Sequence, residues 1–442
     1  MTRGDFLHRE FETLSAQDLG RHQNASWPEQ WNYLRGCSTF YARKLGAAMR
    51  ADVTLDGLRE LPFTGKEELR QAQDAKPPFG TYRACAADQI ARLHRTSGTT
   101  GRALYIANTV SDTGRISTAG GRAFYASELR PSDLVVHCLN YALWTGGVTD
   151  HLSLEATGAT VIPYGVGNSA QLLDLIPELA VTAISCTPSY PALLEQVLAE
   201  RKDGRMPREL GLRLGLFGGE AGLDDPSFRN RLEQTWGFKV RNANYGLSEV
   251  LSILASQCEE TSDLHFHAGD MIFAEIVDPT SGERLPIAEG TAGELVCTHL
   301  SKECQPLVRY RTGDILTVTR VDPCICGRAT WRFRVTGRTD DMFNVRGVNV
   351  FPAAIREVIN AFPNVTSGQF RIILRGPGPY DLIELKVEAT AELAQPEWPE
   401  GARQLETAIR ERIGASAAVR LAPTGSLPRT EGKTSWIERC DQ

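Results

Sequence analysis

Four short apolar runs, separated by segments of helical length, constrain the fold of this chain more than any other feature. They are Leu134–Leu139, Ala159–Pro163, Ala183–Cys186 and Leu212–Phe217. Apolar strands that alternate with helices usually form a parallel sheet covered on both faces, because each crossover helix packs back onto the sheet. The region 111–279 is therefore predicted to contain an α/β body built on a parallel sheet.

Helices are predicted around these strands and in the first part of the chain. They span residues 5–16, 27–46, 66–75, 149–157, 171–179 and 189–200. Two later segments, Met271–Val277 and Gly293–Thr298, alternate apolar and polar residues between turns, which predicts a small antiparallel or barrel-like sheet. A chain of 442 residues is long for a single core, so two or three domains are expected.

A change of pattern after Arg338 predicts a separate α+β module. Its elements are a strand at 342–345, a helix at 352–361, a hairpin of 369–374 with 381–388, and a helix at 402–413. A Pro/Glu stretch at 395–400 is typical of a loop. We therefore expect residues 1–336 to form a large N-terminal body and residues 337–442 a small C-terminal domain that moves on it.

Composition and charge exclude several functional classes. The formal net charge is −6, which does not fit a nucleic-acid-binding surface. The N-terminus lacks an apolar signal core and no run of about 18 apolar residues occurs, so a cytoplasmic protein without a membrane segment is expected. Ten cysteines in a chain of this length are expected to be mostly free thiols or small core residues.

The segment Ser97-Gly98-Thr99-Thr100-Gly101 combines two glycines with three hydroxyls. Glycine lets the backbone fold closely around an anion, and hydroxyls donate hydrogen bonds to phosphate oxygens. The Gly-Lys-Ser/Thr of a P-loop does not follow it. By itself the segment is compatible with nucleotide phosphate binding or with an ordinary turn.

Further segments carry polar groups at turns or at the ends of strands. They are Phe217–Glu220, Asn244–Glu249, Arg309–Asp314, Gly337–Asp341 and Leu427–Lys433. Ligands gather at strand ends in open α/β sheets, and a carboxylate placed there can accept both hydroxyls of a ribose. Together with the glycine-rich segment, these segments favour a nucleotide site.

In this order, these segments resemble the adenylate-forming enzymes, and most closely the phenylacetate–CoA ligase family. The agreement includes Ser97–Gly101, Leu143–Gly147, Cys186–Tyr190, Tyr245–Glu249, Arg309–Thr312, Gly337–Pro352 and Pro428–Lys433, and it runs from about residue 25 to the C-terminus. The resemblance implies a large body with a C-terminal lid. It also implies that an acid is joined to AMP with loss of pyrophosphate, and that the acyl group then passes to a thiol, usually that of CoA.

The resemblance assigns roles to individual residues. Ser97, Thr99 and Thr100 are expected to hold the β- and γ-phosphates, Glu249 to ligate Mg²⁺, and Lys433 to bridge the acid and the α-phosphate. The other ATP-binding residues are expected to be Gly219, Glu220, Asn244, Tyr245, Gly246, Ser248, Asp314 and Arg338.

Ordinary structural roles stay open for several of these positions. Tyr245 is either stacked on adenine or a core aromatic, and Asp314 either accepts the ribose hydroxyls or forms a turn. Arg338 either contacts phosphate or ribose or forms a surface salt bridge. Asp340 is the expected hinge, and Gly347 is expected to leave room for pantetheine after the lid has moved.

The acyl pocket is expected to be lined by aromatic residues beside glycines, because these leave a flat slot for a ring. Its predicted residues are Tyr141, Trp144, Thr145, Gly146 and Phe217. The alternative for the same residues is an ordinary core between a sheet and a helix.

Departures from the family pattern put plain phenylacetate in doubt as the substrate. Arg95 and Thr96 stand where relatives commonly have small residues, Trp144 stands where phenylalanine is expected, and Ala243 where an aspartate is expected. We therefore expect an aryl acid that is phenylacetate-like or carries hydroxyl or amino groups.

CoA is the expected acceptor, and three alternatives remain. They are transfer to the pantetheine of a carrier protein, ATP-dependent activation of nitrite for diazotising an aminoaryl acid, and nucleotide binding without turnover. A homodimer is also compatible with the sequence.

Cys258, His265, Cys324 and Cys326 supply three thiolates and one imidazole, which is a complete ligand set for structural zinc. The Cys-x-Cys spacing alone is a weak signal, but the family resemblance favours a zinc ion here. The alternative ligands are His267 and Cys304.

Overall fold

A computed structural model of the chain describes residues 5–96, 103–201, 204–220, 222–339, 343–346, 348–376, 378–428 and 436–440. The chain divides into two compact units. The first contains the chain up to Cys186 together with Leu210–Gly219 and Phe238–Arg334. The second contains Thr187–Glu209, Glu220–Gly237 and the chain from Val335 onward. The domain boundary at 336/337 stays a prediction.

The helices α1 to α11 span, in chain order, Arg9–Glu12, Ala16–Cys37, Thr39–Leu45, Lys66–Ala75, Val110–Ala126, Thr145–Glu155, Ser169–Glu178, Tyr190–Arg201, Pro226–Trp236, Pro352–Asn360 and Trp398–Ile413. Short 3-10 helices span Gly46–Arg50, Asp56–Glu60, Ala87–Gln89, Pro207–Leu210 and Gln395–Glu397. In the part of the chain that the structure describes, none of the helices has the length and apolar character that crossing a bilayer requires.

The strands β1 to β12 span Ile90–Arg95, Tyr105–Thr109, Leu134–His137, Thr160–Pro163, Ala183–Cys186, Leu214–Gly218, Lys239–Leu247, Leu251–Gln257, Leu264–Phe266, Ile272–Val277, Arg284–Leu285 and Ala292–His299. The strands β13 to β20 span Tyr310–Arg320, Arg332–Arg338, Phe343–Val345, Val348–Val350, Thr366–Arg375, Ile383–Ala389, Ala417–Ala422 and Ile437–Cys440.

The predicted parallel sheet is confirmed. Strands β4, β3, β5, β6 and β7 lie side by side in that order, and each neighbouring pair is parallel. Helices α6 to α9 connect these strands in sequence. On one face, Leu214 and Leu216 of β6 pack with Phe124 of α5 and Leu154 of α6 in a buried cluster. This packing holds α6 against the sheet, and a contact of His137 with Gly146 places the first turn of α6 at the carboxyl end of β3.

Strand β7 joins the parallel strands to antiparallel ones. Its first half pairs in parallel with β6, where Leu214 lies opposite Lys239, and its second half pairs antiparallel with β8, where Tyr245 lies opposite Ala255. The antiparallel strands then continue in the order β8, β9, β14, β13, β12, β10 and β11. They were expected to form a small sheet of their own, but they extend the same ladder, because β7 has a pairing edge on each side.

The N-terminal helices differ from the prediction at two serines. The helix expected at 5–16 is only the short α1, and α2 begins at Ala16 because the side chain of Ser15 accepts a hydrogen bond from Asp18 N. The helix expected at 27–46 is interrupted at Ser38, which ends α2 and caps α3 by accepting from Tyr41 N. The side chains therefore divide one long apolar pattern into separate helices.

The second unit contains the predicted hairpin. Strands β17 and β18 pair antiparallel, and β19 and β20 add parallel strands at the two edges. Helices α10 and α11 cover the sheet through Ile355, Leu405 and Ile409, which pack with Phe370 and Ile372 of β17. Helix α11 begins at Trp398, so part of the stretch expected to be a loop at 395–400 is helical.

Candidate active site

The start of helix α6 carries three residues predicted for the acyl pocket. Trp144 is the N-cap, and Thr145 Oγ1 donates a 2.8 Å hydrogen bond to Ser248 Oγ. A Cβ on Gly146 would lie 3.2 Å from the Trp144 ring, and one on Gly147 would lie 2.4 Å from the carbonyl oxygen of Asn140. The two glycines therefore allow an aromatic ring and a backbone segment to approach the helix closely.

The buried side chain of His137, on β3, contacts the first turn of α6. Its Nε2 lies 3.0 Å from the carbonyl oxygens of both Gly146 and Gly147, and its Nδ1 lies 3.1 Å from Ser185 Oγ. Burial lowers the pKa of His137 to about 4, so the ring is neutral at pH 7. Nε2–H then donates to the two carbonyls, and Nδ1 accepts from the serine hydroxyl.

Tyr141, another predicted pocket residue, is bonded to the half-buried His151 of α6. Its hydroxyl donates to His151 Nδ1 over 3.0 Å, and His151 Nε2 lies 3.2 Å from Glu155 Oε1. The ring of Tyr141 also meets the ring of His137 edge to face, with centroids 5.6 Å apart. These contacts fix the Tyr141 ring in one orientation beside α6.

A buried hydrogen-bonded group joins α6 to β7 and β8. Asp150 of α6 is 0% exposed, and its two carboxyl oxygens bond to Asn244 Nδ2 and to Ser252 Oγ, the latter over 2.7 Å. Burial raises the pKa of Asp150 to about 8, so the carboxyl is largely protonated at neutral pH. Asn244 was predicted to line the adenine, and its half-buried side chain reaches toward α6.

Phe217 lies on the other face of the sheet from α6. Alternate residues of a strand point to opposite faces, and Leu216 packs in the cluster with α5 and α6. The Phe217 ring is fully buried, lies 5.8 Å from the ring of Phe238 and occupies the space beside Gly215. The strand alternation thus separates Phe217 from the other predicted pocket residues.

Tyr245 and Asp314, predicted at the adenine and at the ribose, are in direct contact. Tyr245 Oη donates a 2.7 Å hydrogen bond to Asp314 Oδ2. Asp314 is buried on β13, and the Tyr245 ring meets Phe333 edge to face with centroids 5.4 Å apart. Gly246 follows, where a Cβ would lie 2.1 Å from the carbonyl oxygen of Ser252. Glycine is therefore required where β7 passes close to β8.

Glu249, the predicted magnesium ligand, is buried at the turn between β7 and β8. The ammonium of Lys66 lies 2.8 Å from its Oε1. Sequence reasoning missed Lys66, although one signal was present. Lys66 is the first residue of α4, and a cation is disfavoured in the first turn of a helix by the helix dipole. A lysine at that place indicates a partner outside the helix.

The backbone before Lys66 explains how this lysine is placed. Thr64 N–H donates to the carbonyl of Arg309 and the N–H of Arg311 donates to the carbonyl of Thr64, each over 2.9 Å. Thr64 thus forms a bridge to the start of β13, the strand that carries Asp314. Helix α4 begins two residues later, so Lys66 is positioned from the same strand as the predicted ribose ligand.

Three further predicted ATP residues lie at strand or turn positions. Gly219 follows β6 with φ +81°, a conformation that favours glycine. Glu220 comes next, and its Oε2 accepts a 3.2 Å hydrogen bond from Ser189 N at the start of the α8 region. Arg338 is the half-buried last residue of β14.

Several predicted residues fall outside the described part of the chain. They are Ser97, Thr99, Thr100, Asp340, Gly347 and Lys433. Their phosphate, hinge, pantetheine and catalytic roles stay predictions.

Cys258, His265, Cys324 and Cys326 come together in a buried cluster. Their four potential donor atoms lie within 4.8 Å of one another. The Sγ atoms of Cys258 and Cys324 are 3.9 Å apart, close to the edge of about 3.8 Å that a tetrahedron with Zn–S bonds of about 2.3 Å would have. Donor set and spacing both fit a zinc ion.

The surroundings of the cluster orient its ligands. His265 Nδ1 contacts Thr330 Oγ1 at 3.3 Å, which leaves Nε2 facing Cys326 at 3.7 Å. Hydrogen bonds from Cys258 and Cys326 lower the pKa of Cys324, which favours the thiolate that binds metal. Gly327 has φ +89° and closes the turn after Cys326.

The alternative zinc ligands are engaged elsewhere. His267 Nε2 lies 2.9 Å from Ser256 Oγ, and Cys304 packs with Cys85 and Ala107.

Two family models match this chain. The AMP-binding enzyme model matches residues 42–300, more than half of the chain, and the AMP-binding enzyme C-terminal domain model matches residues 347–438. A phenylacetate-coenzyme A ligase of Thermus thermophilus is 36% identical over 447 residues, covering 96% of each chain. A protein of the same name from Pseudomonas putida is 37% identical over 435 residues, covering 96% of this chain and 95% of the relative.

Solved structures agree with these sequence relatives. A crystal structure of 2-hydroxyisobutyryl-CoA ligase in the postadenylation state, in complex with 2-HIB-AMP, matches with a TM-score of 0.89 and 27% identity. The match covers 99% of this chain and 93% of that one. ATP-bound MatB from Rhodopseudomonas palustris, at 19% identity and a TM-score of 0.55, shares the fold over 82% of this chain and 70% of its own. The chain therefore belongs to the phenylacetate–coenzyme A ligase family of AMP-binding enzymes.

Proposed function

We propose that this chain joins an aryl carboxylic acid to CoA in two steps that use ATP. In the first step, a carboxylate oxygen of the acid bonds to the α-phosphorus of ATP, and the bond to pyrophosphate breaks. In the second step, the CoA sulfur attacks the acyl carbon, and AMP leaves. Family membership supports the AMP-forming reaction, and the phenylacetate ligase relatives support an aryl acid as the substrate.

The observation that carries the proposal is the set of contacts made by the segment Tyr245–Glu249. Tyr245 bonds to Asp314, Ser248 bonds to Thr145 of α6, and Glu249 is buried beside Lys66. One short segment thus contacts Asp314, the carboxylate predicted to bind the ribose, and α6, the helix of the predicted acyl pocket. Such convergence supports a site where nucleotide and acid meet.

Asp314 is suited to a ribose because Tyr245 orients its carboxylate by donating a hydrogen bond to Oδ2. A carboxylate accepts several hydrogen bonds at once, so the same group can also accept from ribose hydroxyls. We propose that the Tyr245 ring, with Gly219 and Glu220, forms the adenine side of the site. Gly246 and Ser248 would shape the backbone between adenine and phosphates, and Arg338 would contact phosphate or ribose.

Glu249 fits a divalent cation. Its carboxylate is buried, and within the described residues its Oε1 lacks a hydrogen bond of ordinary geometry, while the Lys66 ammonium neutralises it. A bound Mg²⁺ would supply positive charge to the phosphates as pyrophosphate leaves. We propose that Ser97, Thr99, Thr100 and Lys433 complete the phosphate site, and that residues 337–442, with Asp340 as hinge and Gly347 beside the pantetheine, act as a lid.

We also propose that Cys258, His265, Cys324 and Cys326 hold a structural zinc ion. All four are buried, so an ion there would cross-link β8, β9 and the turn of 324–327 without contacting substrate. A structural role follows from the closed set of four protein ligands, because catalytic zinc keeps a position for substrate or water.

Pyrophosphate exchange with a panel of aryl acids tests the function. Exchange that depends on one class of aryl acid, followed by thioester formation with CoA, is the expected result. Faster transfer to a carrier-protein pantetheine than to CoA would show that the carrier protein is the acceptor. AMP release that requires nitrite and an aminoaryl acid would show that the reaction is nitrite activation for diazotisation and not thioester formation. An absence of exchange and of AMP release with every acid would contradict the proposal.

A further inference from the structure

Asp150 is a buried acid that the proposed ATP chemistry does not use. It lies on α6, five residues after Thr145, and is 0% exposed. Its oxygens are bonded to Asn244 on β7 and Ser252 on β8. Burying a carboxyl group costs free energy even when it is hydrogen-bonded. An apolar contact would join α6 to β7 without that cost. The buried carboxyl group therefore indicates a role beyond packing.

The backbone is arranged so that Asn244 can reach Asp150. A bulge in the pairing of β6 with β7 places Asn244, instead of Ala243, opposite Gly218. A Cβ on Gly218 would lie 2.4 Å from the Asn244 Cβ, so only glycine leaves room for the side chain there. Ala243 packs in the apolar cluster with Leu216. The extra residue thus brings an amide to the edge of that cluster, next to α6.

Asp150 sets which atom of the Asn244 amide remains available. Asp150 Oδ2 accepts from Asn244 Nδ2, which fixes the orientation of the amide. When Asp150 is protonated, its hydroxyl can donate to Ser252 Oγ, and Oδ2 still accepts from Asn244. Among the described residues, no donor bonds to Asn244 Oδ1. The side chain is half-buried, and Asn244 Oδ1 is not among the fully buried polar atoms that lack a partner, so a ligand can reach this acceptor.

The position of Asn244 favours the acid substrate over adenine. Its amide is tied to α6, whose first turn carries Thr145 and Gly146 of the predicted acyl pocket. The next residue, Tyr245, is instead tied to Asp314 of β13. An acceptor at the acyl side of β7 would be matched by a hydroxyl or amino group on the ring of the acid, each of which donates a hydrogen bond.

We propose that Asn244 is a specificity-determining residue that accepts a hydrogen bond from a hydroxyl or amino substituent on the ring of the aryl acid, and that Asp150 is the positioning residue that holds its amide. The inference rests on the proposed adenylation of an aryl acid and names the substrate class of that site. It also assigns Asn244 to the acyl side of the site.

Pyrophosphate exchange with ring-substituted acids tests the proposal. Hydroxyl, amino and methyl substituents at the same ring position provide donors and a size-matched apolar control. The wild-type enzyme should favour the aryl acid with a hydroxyl or amino substituent over the methyl-substituted acid by about tenfold or more in kcat/KM. Asn244→Leu keeps the size of the side chain but removes the acceptor, and it should abolish or reverse this preference.

Variants of Asp150 separate positioning from folding. Asp150→Asn offers an acceptor to Asn244 and a donor to Ser252, as the protonated acid does, and should retain the preference. Asp150→Leu should lose the preference for the donor substituents while still adenylating the methyl acid. Asn360→Leu is the matched control, because Asn360 Nδ2 bonds to Asp225 Oδ2 over 2.5 Å in the same Asn–Asp pattern. It should leave the preference unchanged.

The outcomes distinguish the inference from the function on which it rests. Without exchange for any acid in the wild-type enzyme, the proposed function fails. Exchange at equal efficiency for donor and methyl acids, or an equal loss for both in Asn244→Leu, would overturn the inference alone. If Asp150→Leu does not fold, Asn244→Leu still tests the acceptor and Asp150→Asn still tests the positioning role. Loss of the preference in Asp150→Asn would contradict that positioning role.

Discussion

Lys66 Nζ lies 2.8 Å from Glu249 Oε1, so a lysine occupies the position that a cation would take at the predicted magnesium ligand. The pair places a protein charge in competition with a metal ion for one buried carboxylate. It also joins the start of α4 to the turn between β7 and β8.

Lys66→Met should tighten the binding of Mn²⁺ to the nucleotide-free protein. Removing the competing ammonium frees Glu249, and since Lys66 is partly exposed, the gain should be about two- to fivefold. Electron paramagnetic resonance of added Mn²⁺ measures the free ion. Lys44→Met is the control, because Lys44 of α3 pairs with Glu68 of α4, the helix that begins at Lys66. Unchanged or weaker Mn²⁺ binding in Lys66→Met would contradict a shared site on Glu249.

Asp314→Asn should weaken ATP binding by about 10- to 100-fold, since it removes the charge from a carboxylate expected to bind the ribose. Tyr245→Phe removes the donor to Oδ2 and should cost less, about two- to tenfold. Calorimetric titration with ATP measures both. Tyr164→Phe, which loses a bond to the carbonyl oxygen of Asn168, is the control. Equal affinity in Asp314→Asn and wild type would exclude Asp314 from the nucleotide site.

The cysteine cluster predicts one zinc ion per chain in protein purified without chelator. Cys326→Ser should lose the metal and lower Tm by roughly 5–10 °C, because the ion stabilises only the folded chain. Metal analysis and thermal unfolding measure the two effects. The exposed Cys37, changed to Ser, should alter neither. Full zinc occupancy in Cys326→Ser would exclude Cys326 as a ligand.

Asp150→Asn should change how stability depends on pH. Burial raises the pKa of Asp150 from 3.8 to about 8, so between these values the folded chain keeps a proton that the unfolded chain releases. This group therefore makes the wild type lose stability as pH rises, by up to about 1.4 kcal/mol per pH unit. Asparagine cannot ionise, so the variant should gain on the wild type from pH 5 to 8.

Urea unfolding at pH 5, 6, 7, 8 and 9 measures that difference, which should level off above the pKa of about 8. Asp52→Asn, at an exposed acid, serves as the control. Parallel profiles for Asp150→Asn and wild type would show that the Asp150 carboxyl is ionised in the folded chain.

Gly246→Ala should destabilise the first unit by about 3 kcal/mol or more, because its Cβ would lie 2.1 Å from a backbone oxygen of Ser252. Gly36→Ala is the matched control inside α2, where a Cβ would meet nothing within 4 Å. That change should stabilise the chain by about 0.5–1 kcal/mol. Urea unfolding measures both. A tolerated Gly246→Ala would mean that β7 and β8 are farther apart than described.

Local patterns in the sequence predicted many elements well. Strand β5 was predicted with its observed bounds, because a short apolar run between turns leaves little choice of limits. Helix α4 was also predicted at 66–75, where Glu68 accepts from Gly65 N and closes the first turn. Helix α6 was expected only from residue 149, since Gly146 and Gly147 are typical of a turn. Packing against Trp144 and His137 makes them helical instead.

The residues of the candidate site were predicted from the sequence, but their contact partners were not. The family motifs led to Tyr245, Glu249 and Asp314, and cysteine spacing led to the four residues of the metal cluster. The partners of these residues were not predictable from the sequence, because they depend on contacts across the fold. Asp150 meets Asn244 across 94 positions of the chain, and no local pattern in α6 distinguishes this acid from an exposed one.

Consecutive residues of β7 serve different neighbours, since Asn244 bonds to α6 and Tyr245 bonds to β13. Under the roles proposed for them, acid range and ATP affinity become separately adjustable by single changes at adjacent codons. A library restricted to position 244 and its helical partner would vary the product of this ligase while leaving its energy source untouched.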